Sequence, residues 1–235
     1  MELFGNSVPL PKFPRVRGLC GIGMSETAAV LDILAARFAY KNTFYHAEPK
    51  FDILHPKPQD LEAFDFVISS EVFEHVPPPV QVAFDNLARV LRPNGFTIFS
   101  VPWAPEGTTR EHFPRLCDWS IANLASGPVL VNRTTDGTLE VFENLVFHGG
   151  DGQTLEMRVF SKADLVSHLK NAGFSRIKFA EDALDHGIAW DPWSTGLIAL
   201  KGTRVGPYVN RGVIESEDKQ SPRKHRFLPF SLSRR

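Results

Sequence analysis

The chain has 235 residues, 43% of them hydrophobic, with 26 basic against 27 acidic side chains and a formal net charge of −1. That length supports one substantial core and a small inserted subdomain. A charge balance this even argues against nucleic acid or an anionic membrane surface as the partner and leaves a small molecule as the expected one.

Two cysteines, Cys20 and Cys117, provide neither a disulfide framework nor a CxxC pair. The start "MELFGNSVPLPKF" lacks the basic opening and apolar run of a secretory signal, so a reducing, cytoplasmic setting is expected. No uninterrupted apolar stretch approaches the roughly 18 residues of a membrane span, and a soluble protein without membrane association is expected.

Residues 1–12 carry Pro9 and Pro11 and read as an irregular lead-in to a main domain over 13–202. From Val16 a short apolar piece runs into "GIGMSE" and then into "TAAVLDILAARF", where Val30, Leu31, Leu34 and Phe38 recur at helical spacing behind Ser25 as the expected N-cap. "NTFYH", "FDI" and "DFVISS" are strand candidates. "PPPVQVAFDNLARVLRPNG" supplies a helix with a proline start, an apolar face of Val80, Phe84, Leu87 and Leu91, and an Asn94-Gly95 stop, before the buried strand "FTIFSVP". Such alternation is the pattern of parallel βαβ units.

Residues 103 to about 158 break the alternation. "VLVNRTTDGTLEVFENLVFHGG" predicts two strands around a turn at Asp136-Gly137, an inserted β-hairpin cap over the ligand site. The helix "SKADLVSHLKNAGF", stopped at Gly173, and the strands "RIKFAED" and "GLIALKG" resume the core. Residues 203–235 have the Pro-, Ser- and Arg-bearing composition of a loosely structured basic tail.

In "DFVISSEVFEHV" a buried strand ends on Glu71, Glu74 and His75. Charge at that place fits an open α/β sheet, which binds ligands at the carboxyl ends of its strands. "GIGMSE", between a first strand and a first helix, adds glycines that let a ligand approach the backbone, although a tight turn alone would also use them and the full GxGxxG is absent.

The stretch "DFVISSEVFEHVPPP…AFDNLARVLRPNGFTIFSVP", with "AGF" before a later strand, resembles the class I S-adenosylmethionine-dependent methyltransferases over residues 16–102 and 158–202. The insertion, with "REHFP" and "FENLVFHGGDGQTLEMRVFS", is similar to a subgroup found beside glycan-modifying enzymes. The resemblance implies a Rossmann-like α/β sheet of six or seven strands, mostly parallel with an antiparallel last strand. It implies S-adenosylmethionine as cofactor and methyl transfer to a small-molecule acceptor, with a sugar or glycan precursor as one candidate.

On that resemblance, Gly21, Gly23, Met24 and Ser25 form the first cofactor loop and Asp52 with Ile53 the adenine edge. Thr43 or Glu48 takes the ribose, and Ser69, Ser70 and Glu71 pass the methionine and sulfonium, with Glu71 and Glu74 lending negative potential. Two departures stand out. The first strand offers Arg17 or Leu19 where the family has an acid, and only 29 residues separate Gly23 from Asp52, so the second helix is expected to be missing. These departures keep a catalytically silent binding or scaffold module open as a second reading.

A hydroxyl acceptor would be helped by a general base. The candidates are His75, His112, His148 and His186, with His148 in "VFHGG" favoured because two glycines follow it at the mouth of the cap; bracing the following loop is the equal alternative for His75. Trp103, Trp190 and Trp193 could wall a ring-shaped acceptor. No His, Cys and carboxylate set has metal spacing along the sequence, so no metal is expected. The sequence leaves the oligomeric state open.

Overall fold

The computed structural model describes residues 9–149, 154–180 and 194–202. In chain order the elements are β1 (Val16–Met24), α1 (Ala28–Arg37), β2 (Phe38–Thr43), β3 (Phe64–Ser70), α2 (Gln81–Val90) and β4 (Leu91–Ser100). The insertion contributes β5 (Trp103–Ala104), β6 (Arg110–Glu111), β7 (Asp118–Leu124), β8 (Gly127–Arg133), β9 (Leu139–Phe142), β10 (Phe147–His148) and β11 (Thr154–Leu155). Then come β12 (Arg158–Ser161), α3 (Lys162–Asn171), β13 (Phe174–Phe179) and β14 (Leu197–Lys201).

The central sheet has six strands in the order β13-β14-β4-β3-β1-β2. β2, β1, β3 and β4 pair in parallel, and β14 lies antiparallel to both β4 and β13. This is the expected Rossmann-like α/β sheet with an antiparallel last strand. Strand order reverses between β1 and β3, and there the carboxyl ends of an open sheet leave a crevice.

Alternating residues of each central strand feed two cores, because successive side chains point to opposite faces. Val67 of β3 and Phe99 of β4 join Phe73, Phe84, Leu87, Leu165 and Leu169 under α2 and α3. Phe66 and Phe96, from the same two strands, join Leu19, Leu34 and Phe38 against α1. No α-helix lies between β2 and β3, as the short spacing predicts.

Several local expectations shift. Met24 is still in β1 and Ser25 adopts φ 63°, its N–H bonded to the Thr43 carbonyl, so Ser25 makes the turn instead of capping α1; Thr27 stands at the N-cap without a side-chain bond. Phe38 belongs to β2, with its ring edge-on to Phe66 at 5.3 Å, so β2 starts ahead of the expected "NTFYH" and ends at Thr43. "FDI" forms a turn instead of a strand, since the Asp52 carbonyl accepts from His55 N–H. Helix α2 ends at Val90 ahead of Pro93, and Asn94 (φ 64°) and Gly95 lie inside β4.

The expected hairpin is present as β8 and β9, with Gly137 (φ 85°) in its turn, and β7 extends it to a three-stranded antiparallel sheet. Ser161 caps α3 by accepting from Asp164 N–H, and Gly173 (φ 97°) ends it. Among the described residues no helix is long and apolar enough to cross a membrane. The lead-in to Val8, the tail from 203, His186, Trp190 and Trp193 lie outside the described residues.

Candidate active site

A cavity of about 690 Å³ opens at the carboxyl ends of β1, β2 and β3. Its volume is that of a site for a drug-sized ligand or cofactor. Met24 and Ser25 come from the end of β1, Thr43 from the end of β2, Asp52 and Ile53 from the following turn, and Glu71 from the end of β3. The cap closes the other side with Trp119 and Ile121 of β7, His148, Leu155 and Met157.

The Asp52 turn is held on two sides. Asp52 Oδ1 accepts from Leu54 N–H at 2.9 Å and Oδ2 meets His55 Nδ1 at 3.0 Å. From α2 the buried Asn86 donates to the carbonyls of Ile53 (2.9 Å) and Leu54 (3.1 Å). The Asp52 side chain keeps 25% of its surface exposed, so a fixed acceptor stands beside the buried Ile53.

Five expected cofactor residues are not on the wall. A Cβ on Gly21 would fall 2.0 Å from the Phe66 ring, and one on Gly23 would fall 1.8 Å from the Tyr40 hydroxyl. These glycines make room within β1 for crossing aromatic side chains rather than cradling a ligand. Ser70 turns its hydroxyl to Glu26 Oε2 at 3.4 Å, and Glu48 accepts from Lys50 N–H on the exposed surface. Thr43 does line the cavity, but its hydroxyl is committed to the Gly23 carbonyl at 2.7 Å. Ser69 is fully buried within β3. Of the two positions set against the family's first-strand acid, Leu19 is packed in the α1 core and Arg17 donates to the Ala35 and Phe38 carbonyls.

Past β3 the turn Phe73–His75 is clamped from the insertion. Buried Arg158 donates from one guanidinium nitrogen to the carbonyls of Phe73 (2.9 Å) and Val76 (2.6 Å), and its Nε meets Glu111 at 2.7 Å. Met157 N–H donates to the Glu74 carbonyl at 2.8 Å. His75 Nδ1 faces the Leu155 carbonyl at 2.9 Å, a contact that assigns the ring proton to Nδ1 and leaves Nε2 as an acceptor.

The Glu74 carboxyl is completely buried, and neither oxygen has a hydrogen-bond partner. Burial pushes its pKa up to about 9, with Glu71 and Glu156 nearby adding to the rise. The negative potential expected of Glu74 is therefore absent at neutral pH, and Glu71, with Asp52, is an acidic group on the cavity wall. Its carboxylate accepts from the hydroxyls of Ser100 and Ser194, both at 2.8 Å. Burial also lowers the pKa of His75, keeping its ring neutral.

Of the candidate bases, His75 and His148 line the cavity and stand ring to ring at 4.9 Å. His112 does not line it; its Nε2 meets Glu156 Oε1 at 2.7 Å, while Glu156 Oε2 meets His148 Nε2 at 3.0 Å. Trp103 is buried against Phe179 rather than walling the cavity. Sequence reasoning missed Glu156, whose link to both His112 and His148 has no local signal, and the apolar wall of Phe44, Phe51 and Met157.

Residues 22–99 match the family model of a methyltransferase domain. That span holds the ends of β1, β2 and β3, the Asp52 turn and Glu74-His75, so the match and the cavity fall on the same residues. No curated protein matches the chain. Similar solved structures include the 1,6-didemethyltoxoflavin-N1-methyltransferase of Burkholderia thailandensis with bound S-adenosylhomocysteine, at 13% identity over 80% of this chain and 72% of that one, with a TM-score of 0.47. The sugar N-methyltransferase KedS8 of a Streptoalloteichus species has 12% identity over 79% and 81%, with a TM-score of 0.47. CalS10, an amino pentose methyltransferase of Micromonospora echinaspora, has 13% identity over 78% and 84%, with a TM-score of 0.45.

Proposed function

We propose that the chain is an S-adenosylmethionine-dependent methyltransferase for a small-molecule acceptor, with a sugar or glycan precursor as the candidate class. The observation that carries this reading is the cavity at the point where strand order reverses, within the span that matches a methyltransferase domain. The residues present fit the cofactor: Asp52 offers an acceptor for an adenine amino group, Ile53 and Phe51 an apolar face for the ring, and Glu71 a carboxylate beside a sulfonium.

When bound, S-adenosylmethionine supplies an already activated methyl group. What remains for the chain is alignment and exclusion of water. The β7–β9 sheet does the second, placing Trp119 and Ile121 over the strand ends. His75, from the turn after β3, and His148, from the cap, do the first, each with one ring nitrogen anchored and the other turned toward Glu74.

Calorimetric titration with S-adenosylhomocysteine tests the reading. Saturable binding is expected, weakened at least about tenfold, or 1.4 kcal/mol, in Asp52→Ala. No binding at millimolar ligand would remove it. The second reading, a silent module of the same fold, rests on Arg17 or Leu19 in place of the first-strand acid and on the aromatic packing over Gly21 and Gly23. Binding of S-adenosylhomocysteine, seen as a raised Tm, counts against it.

A further inference from the structure

We infer that Glu74, His75 and His148 form a binding site for one first-row divalent transition-metal ion, open toward the cavity. A carboxylate oxygen of Glu74 and one ring nitrogen of each histidine all lie within 4.8 Å of one another. His75 Nε2 is 3.5 Å and His148 Nδ1 4.0 Å from Glu74 Oε1. Donors around a zinc ion at about 2.1 Å stand about 3.4 Å apart in a tetrahedron, so small side-chain movements complete the set.

Three features make this more than a chance cluster. Glu74 is fully buried with both oxygens unpartnered and aimed at two imidazoles, so a cation between them would give the carboxylate the direct partner it lacks. Each histidine has its far nitrogen anchored: His75 Nδ1 on the Leu155 carbonyl at 2.9 Å, and His148 Nε2 on Glu156 at 3.0 Å. That is the outer-shell arrangement that fixes the tautomer and turns the lone pair to a metal. Finally, Glu156 is itself held by His112 Nε2 at 2.7 Å, and the Phe73–His75 turn is stapled by Arg158, so the donors sit on a braced frame.

Two nitrogens and one carboxylate suit zinc, iron, cobalt or manganese better than magnesium or calcium. Three protein ligands leave coordination positions open, and His75 and His148 both border the cavity, so an open position faces the space beside the proposed cofactor. This names the acceptor class, on the reading proposed above: an oxygen nucleophile, a hydroxyl whose acidity rises on coordination. The hydroxyl loses its proton to solvent, its oxygen forms a bond to the methyl carbon, and the carbon–sulfur bond breaks with its electron pair left on sulfur, giving an ether and the neutral thioether.

The test is titration of tag-free protein, stripped with a chelator and free of cofactor, with Zn²⁺, Co²⁺ and Mg²⁺. One Zn²⁺ per chain and a visible Co²⁺ ligand-field spectrum are expected, with Mg²⁺ binding much weaker. His148→Ala and Glu74→Gln should each weaken Zn²⁺ at least about a hundredfold, while Glu156→Gln, which keeps all three ligands, should weaken it about 10–100-fold. Circular dichroism melts identify variants that fold. Should His148→Ala not fold, the Glu156→Gln titration decides alone. No binding by the wild type, equal binding by wild type and folded variants, or a preference for Mg²⁺ overturns the site. S-adenosylhomocysteine titrated in the presence of chelator tests the methyltransferase reading separately, so either can fail without the other.

Discussion

The two halves of the cavity are built by different means. On the sheet side, Met24, Thr43, Asp52 and Glu71 sit at strand ends or in one adjoining turn, and backbone pairing of parallel strands sets their spacing. On the cap side, Glu74 and His75 meet His148 and Glu156 only because β10 and β11 fold back over the turn after β3. The sheet half can be read from local sequence with a period of two; the cap half exists only in the tertiary fold. A chemical site spanning both needs a clamp between them, and buried Arg158 is that clamp.

Arg158→Met is expected to cost the most. It frees the Phe73 and Val76 carbonyls and leaves Glu111 without its partner, and breaking such a buried network costs about 3–5 kcal/mol. A denaturant melt measures it. A loss under about 1 kcal/mol would mean that the cap is not fastened there.

Gly21→Ala separates two uses of the glycines. Its new Cβ must displace the Phe66 ring, so a loss of about 1–3 kcal/mol in stability is expected, seen in the same melts. Loss of S-adenosylhomocysteine affinity at unchanged stability would instead restore Gly21 to the ligand.

Glu74→Met should move stability the other way. Removing an unpartnered buried carboxyl from the chelator-treated protein relieves about 1–3 kcal/mol, read as a higher Tm. A lower Tm would show that Glu74 holds the cap by contacts to which its unpaired oxygens do not contribute.

His168, remote from the cavity on α3, gives the smallest effect. It stacks on Phe84 and its Nδ1 meets Gln81 at 2.7 Å, and burial holds its pKa below the ordinary value of 6.5. As pH falls through 6.5 and on through the lower folded value, the unfolded chain takes the proton first. The stability that neutral His168 contributes above 6.5 is thus lost on acidification. The Tm advantage of wild type over His168→Gln should shrink between about pH 7 and pH 5; a constant or growing difference would contradict the assignment.

The strands β3 and β4, the body of α2, α3 with its Gly173 stop, and the β8–β9 hairpin were legible because each carries its own periodicity or turn signal, while the Asn94-Gly95 stop fell inside β4. The glycines misled because a GxG reads alike whether a ligand or an aromatic ring crosses it, and the rings of Phe66 and Tyr40 come from other strands. "FDI" misled because three residues of strand composition do not outweigh an Asp52 side chain that bonds its own turn. His75 and His148 were visible as histidines, but nothing along the chain shows that one buried carboxyl lies between them.

On the proposed reading the strand ends of β1, β2 and β3 form one crevice for a sulfonium nucleoside. A crystal structure of the protein with S-adenosylhomocysteine tests it most directly. The purine amino group is expected within hydrogen-bond distance of Asp52, the ring against Ile53, and the sulfur between Glu71 and the His75–His148 pair. Ligand bound elsewhere on the chain, or a crevice refilled by its own side chains while ligand binds, would contradict it.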